Sequence, residues 1–112
     1  MSTAGQPFEK LERTIAARAA SPDERSYTSQ LLAGGVEKIG SKIIEEAAEV
    51  VEAAAEPHEA GREHFIREVG DLIYHLMVLM QYRECSLADI EAELARRFGV
   101  SGLEEKAARK GS

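Results

Sequence analysis

Six acidic residues in this chain stand at spacings that let several of them work on one object. Glu45-Glu46-x-x-Glu49 is followed one turn later by Glu52, and Glu68-x-x-Asp71 comes after a short break. Residues three apart share a helix face, so Glu46 with Glu49, and Glu68 with Asp71, can each reach one ion. Both groups lie in segments that otherwise read as helix core, where carboxylates are rare unless something positive neutralises them. Two unit charges about 4 Å apart repel by roughly 4 kcal/mol at an effective dielectric near 20. Four converging carboxylates therefore call for a counter-ion, and a hard divalent cation such as Mg²⁺ prefers oxygen ligands and commonly brings a phosphate. The chemistry this suggests is metal-assisted hydrolysis at a nucleotide phosphate. Glu45 or Glu52 is placed to orient or deprotonate the water. Lys38 and Lys42 are placed to neutralise substrate phosphates.

Either motif alone reads as a solvated helix face, and Lys42 with Glu45 or Glu46 as an ordinary helix salt bridge. The conjunction on consecutive helices carries the reading. A helix from about Val36 to Glu56 is expected, stopped by Pro57, after Gly34-Gly35 has broken a short apolar segment that opens at Ser26-Tyr27-Thr28. On its wheel Ile39, Ile43, Ala47, Val50 and Ala54 form the core side, widened by Ile44, Ala48 and Val51. Glu45, Glu49, Glu52 and Glu56 fall opposite, with Glu46 on the edge. The next helix runs from about Arg62 to Arg83 and carries His64, Glu68, Asp71 and His75 on one stripe. The short link from Pro57 to Gly61 makes the two helices antiparallel neighbours and brings the four carboxylates face to face. An earlier helix spans about Phe8 to Ala20. Ser86-x-x-Asp89 is a capping box for a last one ending near Phe98, with Gly99 as its C′ residue and a mobile tail over residues 100–112. His75 reads as a hydrogen-bonded core histidine, His58 and His64 as solvent-exposed, and Cys85 as a small packed residue.

With 112 residues, 44% hydrophobic side chains and no Trp, the chain is expected to be a single all-α domain of four to five helices. A formal charge of −6 argues against binding a nucleic-acid backbone. One cysteine excludes an internal disulfide and fits a cytoplasmic location. The longest apolar run, Leu76 to Met80, is far short of the roughly 18–20 residues that span a bilayer. The segment Leu72 to Met80 is apolar almost all round, more than so few helices can cover, so a homodimer is inferred.

These residues resemble a known family. Glu45-Glu46-Ala47-Ala48-Glu49 and Glu68-Val69-Gly70-Asp71 are similar to the EExxE…ExxD signature of the MazG-like all-α nucleotide pyrophosphohydrolases. Ser26-Tyr27-Thr28-x-x-Leu31-Leu32, Gly35-x-x-Lys38, Asp71-Leu72-Ile73-Tyr74-His75-Leu76 and Leu87-x-Asp89-Ile90-x-x-Glu93-Leu94 narrow the likeness to the phosphoribosyl-ATP pyrophosphohydrolases of histidine biosynthesis. The resemblance covers about residues 8–109. It implies Mg²⁺-dependent hydrolysis of phosphoribosyl-ATP to phosphoribosyl-AMP and pyrophosphate by a homodimeric helical bundle. Glu46, Glu49, Glu68 and Asp71 would be the metal ligands, Glu45 or Glu52 an outer ligand or general base, and Ser26, Tyr27 and Thr28 substrate contacts. Gly70 stands where many members have Ala, and is expected either to admit a close helix or to weaken its own. A fused cyclohydrolase domain is not expected. The competing readings are a house-cleaning (d)NTP pyrophosphohydrolase with the same metal chemistry, and a non-catalytic helical interaction module.

Overall fold

The computed structural model describes residues 6–98, which form four helices and no strand. Helix α1 spans Gln6–Ala20, α2 Tyr27–Ala54, α3 His58–Tyr82 and α4 Leu87–Arg97. The expected C′ role of Gly99 and the tail over residues 100–112 lie outside the described residues.

The central element is the antiparallel pair α2 and α3, with α1 packed against both. Ile15 of α1, Leu31 and Ile39 of α2, and Met77 and Val78 of α3 make the buried core. Burying an aliphatic side chain of this size contributes about 1.5–3 kcal/mol. Ser26 caps α2, its Oγ accepting from the Ser29 N–H at 3.2 Å. The expected break at Gly34-Gly35 is a kink at one residue: Gly35 has φ 69° and ψ −162° while helix continues on both sides. That conformation is easy only for glycine. Tyr82, at the end of α3, packs over the kink.

The turn into α3 is tighter than the sequence suggests, and α3 begins at His58 instead of about Arg62. Pro57 occupies the N-cap, where a missing N–H costs nothing. A Cβ on Gly61 would stand 2.4 Å from the Glu56 carbonyl oxygen, so only glycine lets α3 start this close to the end of α2. Tight closure fixes the register that sets the two acidic stretches side by side. Gly70 does not serve close packing: a Cβ there would meet nothing within 4 Å. Within the chain, the expected close helix approach at Gly70 is not found, and α3 runs through it without a break.

The wheel reading of α2 needs correction. Ile39 is buried and Ile43 and Val50 half-buried, but Ile44, Ala47, Ala48, Val51 and Ala54 are exposed. The relative exposures of Ile44 and Val51 reach 74% and 71%. Glu46 and Glu49, assigned to the outward stripe or its edge, are half-buried, and Glu46 approaches His75 of α3. The reason is that α2 has two apolar sides, and only one of them is used within the chain.

Helix α4 has its capping box as expected, Ser86 Oγ accepting from the Asp89 N–H and Asp89 from the Ser86 N–H. The Leu87 N–H also donates to Glu12 of α1 at 2.7 Å. Its apolar stripe Ile90, Leu94 and Phe98 is exposed. No helix among the described residues is long and apolar enough to cross a membrane.

Candidate active site

Glu46 on α2 and Glu68 and Asp71 on α3 converge, with one carboxylate oxygen from each lying within 4.8 Å of the others. Burial is graded across the group: Glu46 and Glu68 are half-buried and Asp71 is exposed, so the cluster opens to solvent on one side. Glu46 Oε2 and Glu68 Oε2 are buried and lack a hydrogen-bond partner. A buried oxygen with no donor is costly. The all-oxygen donor set and the two orphaned atoms fit a hard divalent cation.

The electrostatics express the same crowding. Burial, followed by contact with Glu68 and the nearby charges of Glu49 and Asp71, pushes the Glu46 carboxyl up to about 7. Glu49 lies against Glu68, and two adjacent carboxyls cannot both ionise cheaply. Glu49 is accordingly raised by its contact with Glu68. Glu68 is lowered by that same contact, then by Glu46 and by His64. Glu68 holds its proton less tightly than an ordinary carboxyl does, and Glu46 and Glu49 more tightly.

The other expected site residues are distributed around this centre. Glu45 is exposed and pairs with Lys42 at 3.6 Å, the i,i+3 bridge foreseen from spacing. Glu52 is exposed. Lys38 is exposed, with its methylenes lying back over Gly34. Ser26 serves as the helix cap already described. Tyr27 and Thr28 reach across to α3. The Tyr27 hydroxyl is 2.9 Å from His75 Nε2, and Thr28 Oγ1 is hydrogen-bonded to the Tyr74 hydroxyl. The Tyr27 and Tyr74 rings stack with centroids 6.2 Å apart. Burial, only partly offset by Lys42, raises the Tyr27 phenol above its usual range, and Glu46 and Glu45 add to the rise.

His75 is the core histidine that its apolar helix suggests, 5% exposed. Its Nδ1 lies 2.9 Å from the Asp71 carbonyl oxygen, which can only accept, so Nδ1 carries the proton and Nε2 accepts from Tyr27. Nδ1 is also 4.0 Å from Glu46 Oε1. His75 therefore ties the first turn of α2 to the backbone of an acidic residue in the cluster. His64, expected in solvent, instead lies between two carboxylates. Its Nδ1 is 3.0 Å from Glu56 and its Nε2 3.2 Å from Glu68 Oε1. The i,i+4 spacing of His64 and Glu68 was the available signal; the contact to Glu56 needs the tight turn at Gly61, which spacing does not reveal.

Residues 8–98 match the family model for phosphoribosyl-ATP pyrophosphohydrolase. The chain is 58% identical over 103 residues to a phosphoribosyl-ATP pyrophosphatase of Rhodopirellula baltica, covering 92% of this chain and 86% of the relative. A phosphoribosyl-ATP pyrophosphatase of Paracoccus denitrificans is 48% identical over 92% of this chain and 93% of its own length. Phosphoribosyl-ATP pyrophosphatase 1 of Rhodopseudomonas palustris is 48% identical over 89% and 91%. With an all-helical fold, a carboxylate cluster on paired helices and a family match across almost all the described residues, the chain belongs to the phosphoribosyl-ATP pyrophosphohydrolase family.

Proposed function

We propose that this chain hydrolyses the α–β phosphoanhydride of phosphoribosyl-ATP in a Mg²⁺-dependent reaction, yielding phosphoribosyl-AMP and pyrophosphate, the second step of histidine biosynthesis. Family membership supports the substrate. The observation that carries the mechanism is the pair of buried, unpartnered oxygens on Glu46 of α2 and Glu68 of α3, in side chains that converge with Asp71. Glu46, Glu68 and Asp71 are the ligand set, with Glu49 completing it from beside Glu68. When bound, Mg²⁺ supplies charge neutralisation for the phosphates and acidifies a coordinated water.

The chain's own residues do the rest. The oxygen of a water molecule adds to one phosphorus of the α–β anhydride, the bond from that phosphorus to the bridging oxygen breaks, and the fragment that keeps the bridging oxygen takes its negative charge: pyrophosphate for attack at the α phosphorus, phosphoribosyl-AMP for attack at the β phosphorus. The proton from the water goes to a carboxylate, for which Glu45, Glu49 and Glu52 are the candidates on α2. Glu49 is the strongest of them, because contact with Glu68 already raises its proton affinity. Lys42, at the cluster's rim beside Glu45, and Lys38, one turn earlier, attract the phosphates. Tyr27 and Thr28, aligned by His75 and Tyr74, form the wall at the start of α2 against which the nucleoside part rests; Ser26 holds that turn as its cap. The working unit is a homodimer in the cytoplasm, with the exposed apolar side of α2 as its seam.

The test is pyrophosphate release from phosphoribosyl-ATP and, in parallel, from a dNTP panel, with and without Mg²⁺. Selective, Mg²⁺-dependent release from phosphoribosyl-ATP is expected. Glu49→Gln should abolish it, by at least about a hundredfold for a group that moves a proton, with an unchanged circular-dichroism spectrum. Preferential turnover of dNTPs would move the function to nucleotide clean-up, and wild-type rates in Glu49→Gln would remove Glu49 from the machinery.

A further inference from the structure

His64 touches the carboxylate cluster without belonging to it. Its ring spans two elements: Nδ1 faces both oxygens of Glu56, just past the end of α2, and Nε2 faces Oε1 of Glu68 in α3. Glu68 thus has two unlike oxygens. Oε1 is engaged by the imidazole, while Oε2 is buried and left without a partner. The terminal torsion of a glutamate is soft and roughly two-fold, so a free Glu68 would exchange its oxygens readily. Engaging one of them holds the carboxylate plane. Engaging it from a ring that is itself anchored at Glu56 holds that plane relative to α2, where Glu46 stands.

We propose that His64 is a positioning residue for the cation site: bridged to Glu56, it clamps Oε1 of Glu68 and presents Oε2 to the ion. The proposal rests on the reading of Glu46, Glu68 and Asp71 as metal ligands. Partners of this kind commonly account for ten- to hundredfold in metal affinity. A purely Coulombic role predicts the opposite sign, because a cationic imidazole beside the site repels a second cation and its removal would tighten binding.

Binding of Mn²⁺ alone, followed by the electron paramagnetic resonance of the free ion, separates these. Wild-type protein should bind Mn²⁺. His64→Ala should weaken binding by about tenfold or more. His64→Gln should recover part of the loss, since its amide still reaches Glu68 one turn on but cannot span to Glu56. Glu56→Ala, outside the cluster, should also weaken binding, and should add nothing in the background of His64→Ala. Unchanged or tighter binding by His64→Ala overturns the clamp, as does full additivity in the double variant. If His64→Ala does not fold, unchanged affinity in Glu56→Ala is sufficient to overturn it. Absence of Mn²⁺ binding by the wild type overturns the metal-site reading, and this proposal with it.

Discussion

Glu46 stores the tension of the site: burial and three neighbouring carboxyls hold its proton up to about 7, from an ordinary value of 4.5. In the metal-free protein this has a definite linkage. The unfolded chain gives up that proton near 4.5 and the folded chain near 7, so the folded state binds more protons across that window. The corresponding stability is fully present below 4.5 and is lost as the pH rises towards 7. Glu49, also raised, acts in the same direction, and Glu68, lowered, acts oppositely at more acidic pH. Thermal unfolding in EDTA should therefore show a melting temperature that falls from about pH 4.5 to 7, with Mg²⁺ or Mn²⁺ restoring it at the upper end. Glu46→Gln, permanently neutral, should reduce that slope; an unaltered slope would show that Glu46 is not its source. These acids were legible in the sequence because their spacing is a local property of one helix. The second contacts of His64 and of Tyr27 were not, because each joins residues on different elements: Glu56 across the turn in one case, His75 forty-eight positions away in the other.

At the scale of the helix, periodicity gave the elements, and three boundary signals held: Ser26, Pro57 and the Ser86–Asp89 box. What periodicity could not do was choose between two apolar sides of α2. Ile39, Ile43, Ile44, Ala47, Ala48, Val50 and Val51 cover more than half of the wheel, and only contact with α3 reveals that Glu46 and Glu49 turn inward with Ile39 and Val50. Three of the glycines in the paired helices also look alike in the sequence and differ in the structure. Gly35 is required by its positive φ and Gly61 by the Glu56 carbonyl, while Gly70 is an exposed helical position with open space around it. Gly70→Ala should therefore stabilise the protein by up to about 1 kcal/mol. Gly61→Ala should destabilise it through the backbone clash. Chemical denaturation of both variants checks the pair, and a destabilised Gly70→Ala would mean that something packs on that site in solution.

Among the described residues every helix exposes large apolar side chains; two stripes of them are Ile44 and Val51 on α2, and Ile90, Leu94 and Phe98 along α4. Contiguous exposed aliphatics of this kind mark an interaction surface. Val51→Asp, 71% exposed in the single chain, should leave the helical content unchanged and convert a dimer to monomers in sedimentation equilibrium. A wild-type chain that sediments as a monomer would refute the seam. The sequence locates the apolar surplus in Leu72 to Met80 of α3, where Leu76 is exposed but Met77 and Val78 are buried; it does not locate the surplus on α2, since a wheel gives Ile44 and Val51 to the chain's own core. Past the kink at Gly35, α2 presents Ile44 outward, Glu45 at the rim and Glu46 to the cluster on three consecutive residues. Successive residues are about 100° apart around a helix. An inserted or deleted residue between Gly35 and Ile44 would rotate everything beyond it by that angle, burying acids in the seam and offering aliphatics to the ion. The length of this stretch is therefore constrained as tightly as Gly35 and the buried Ile39 within it, and insertions or deletions compatible with activity are expected to fall outside it.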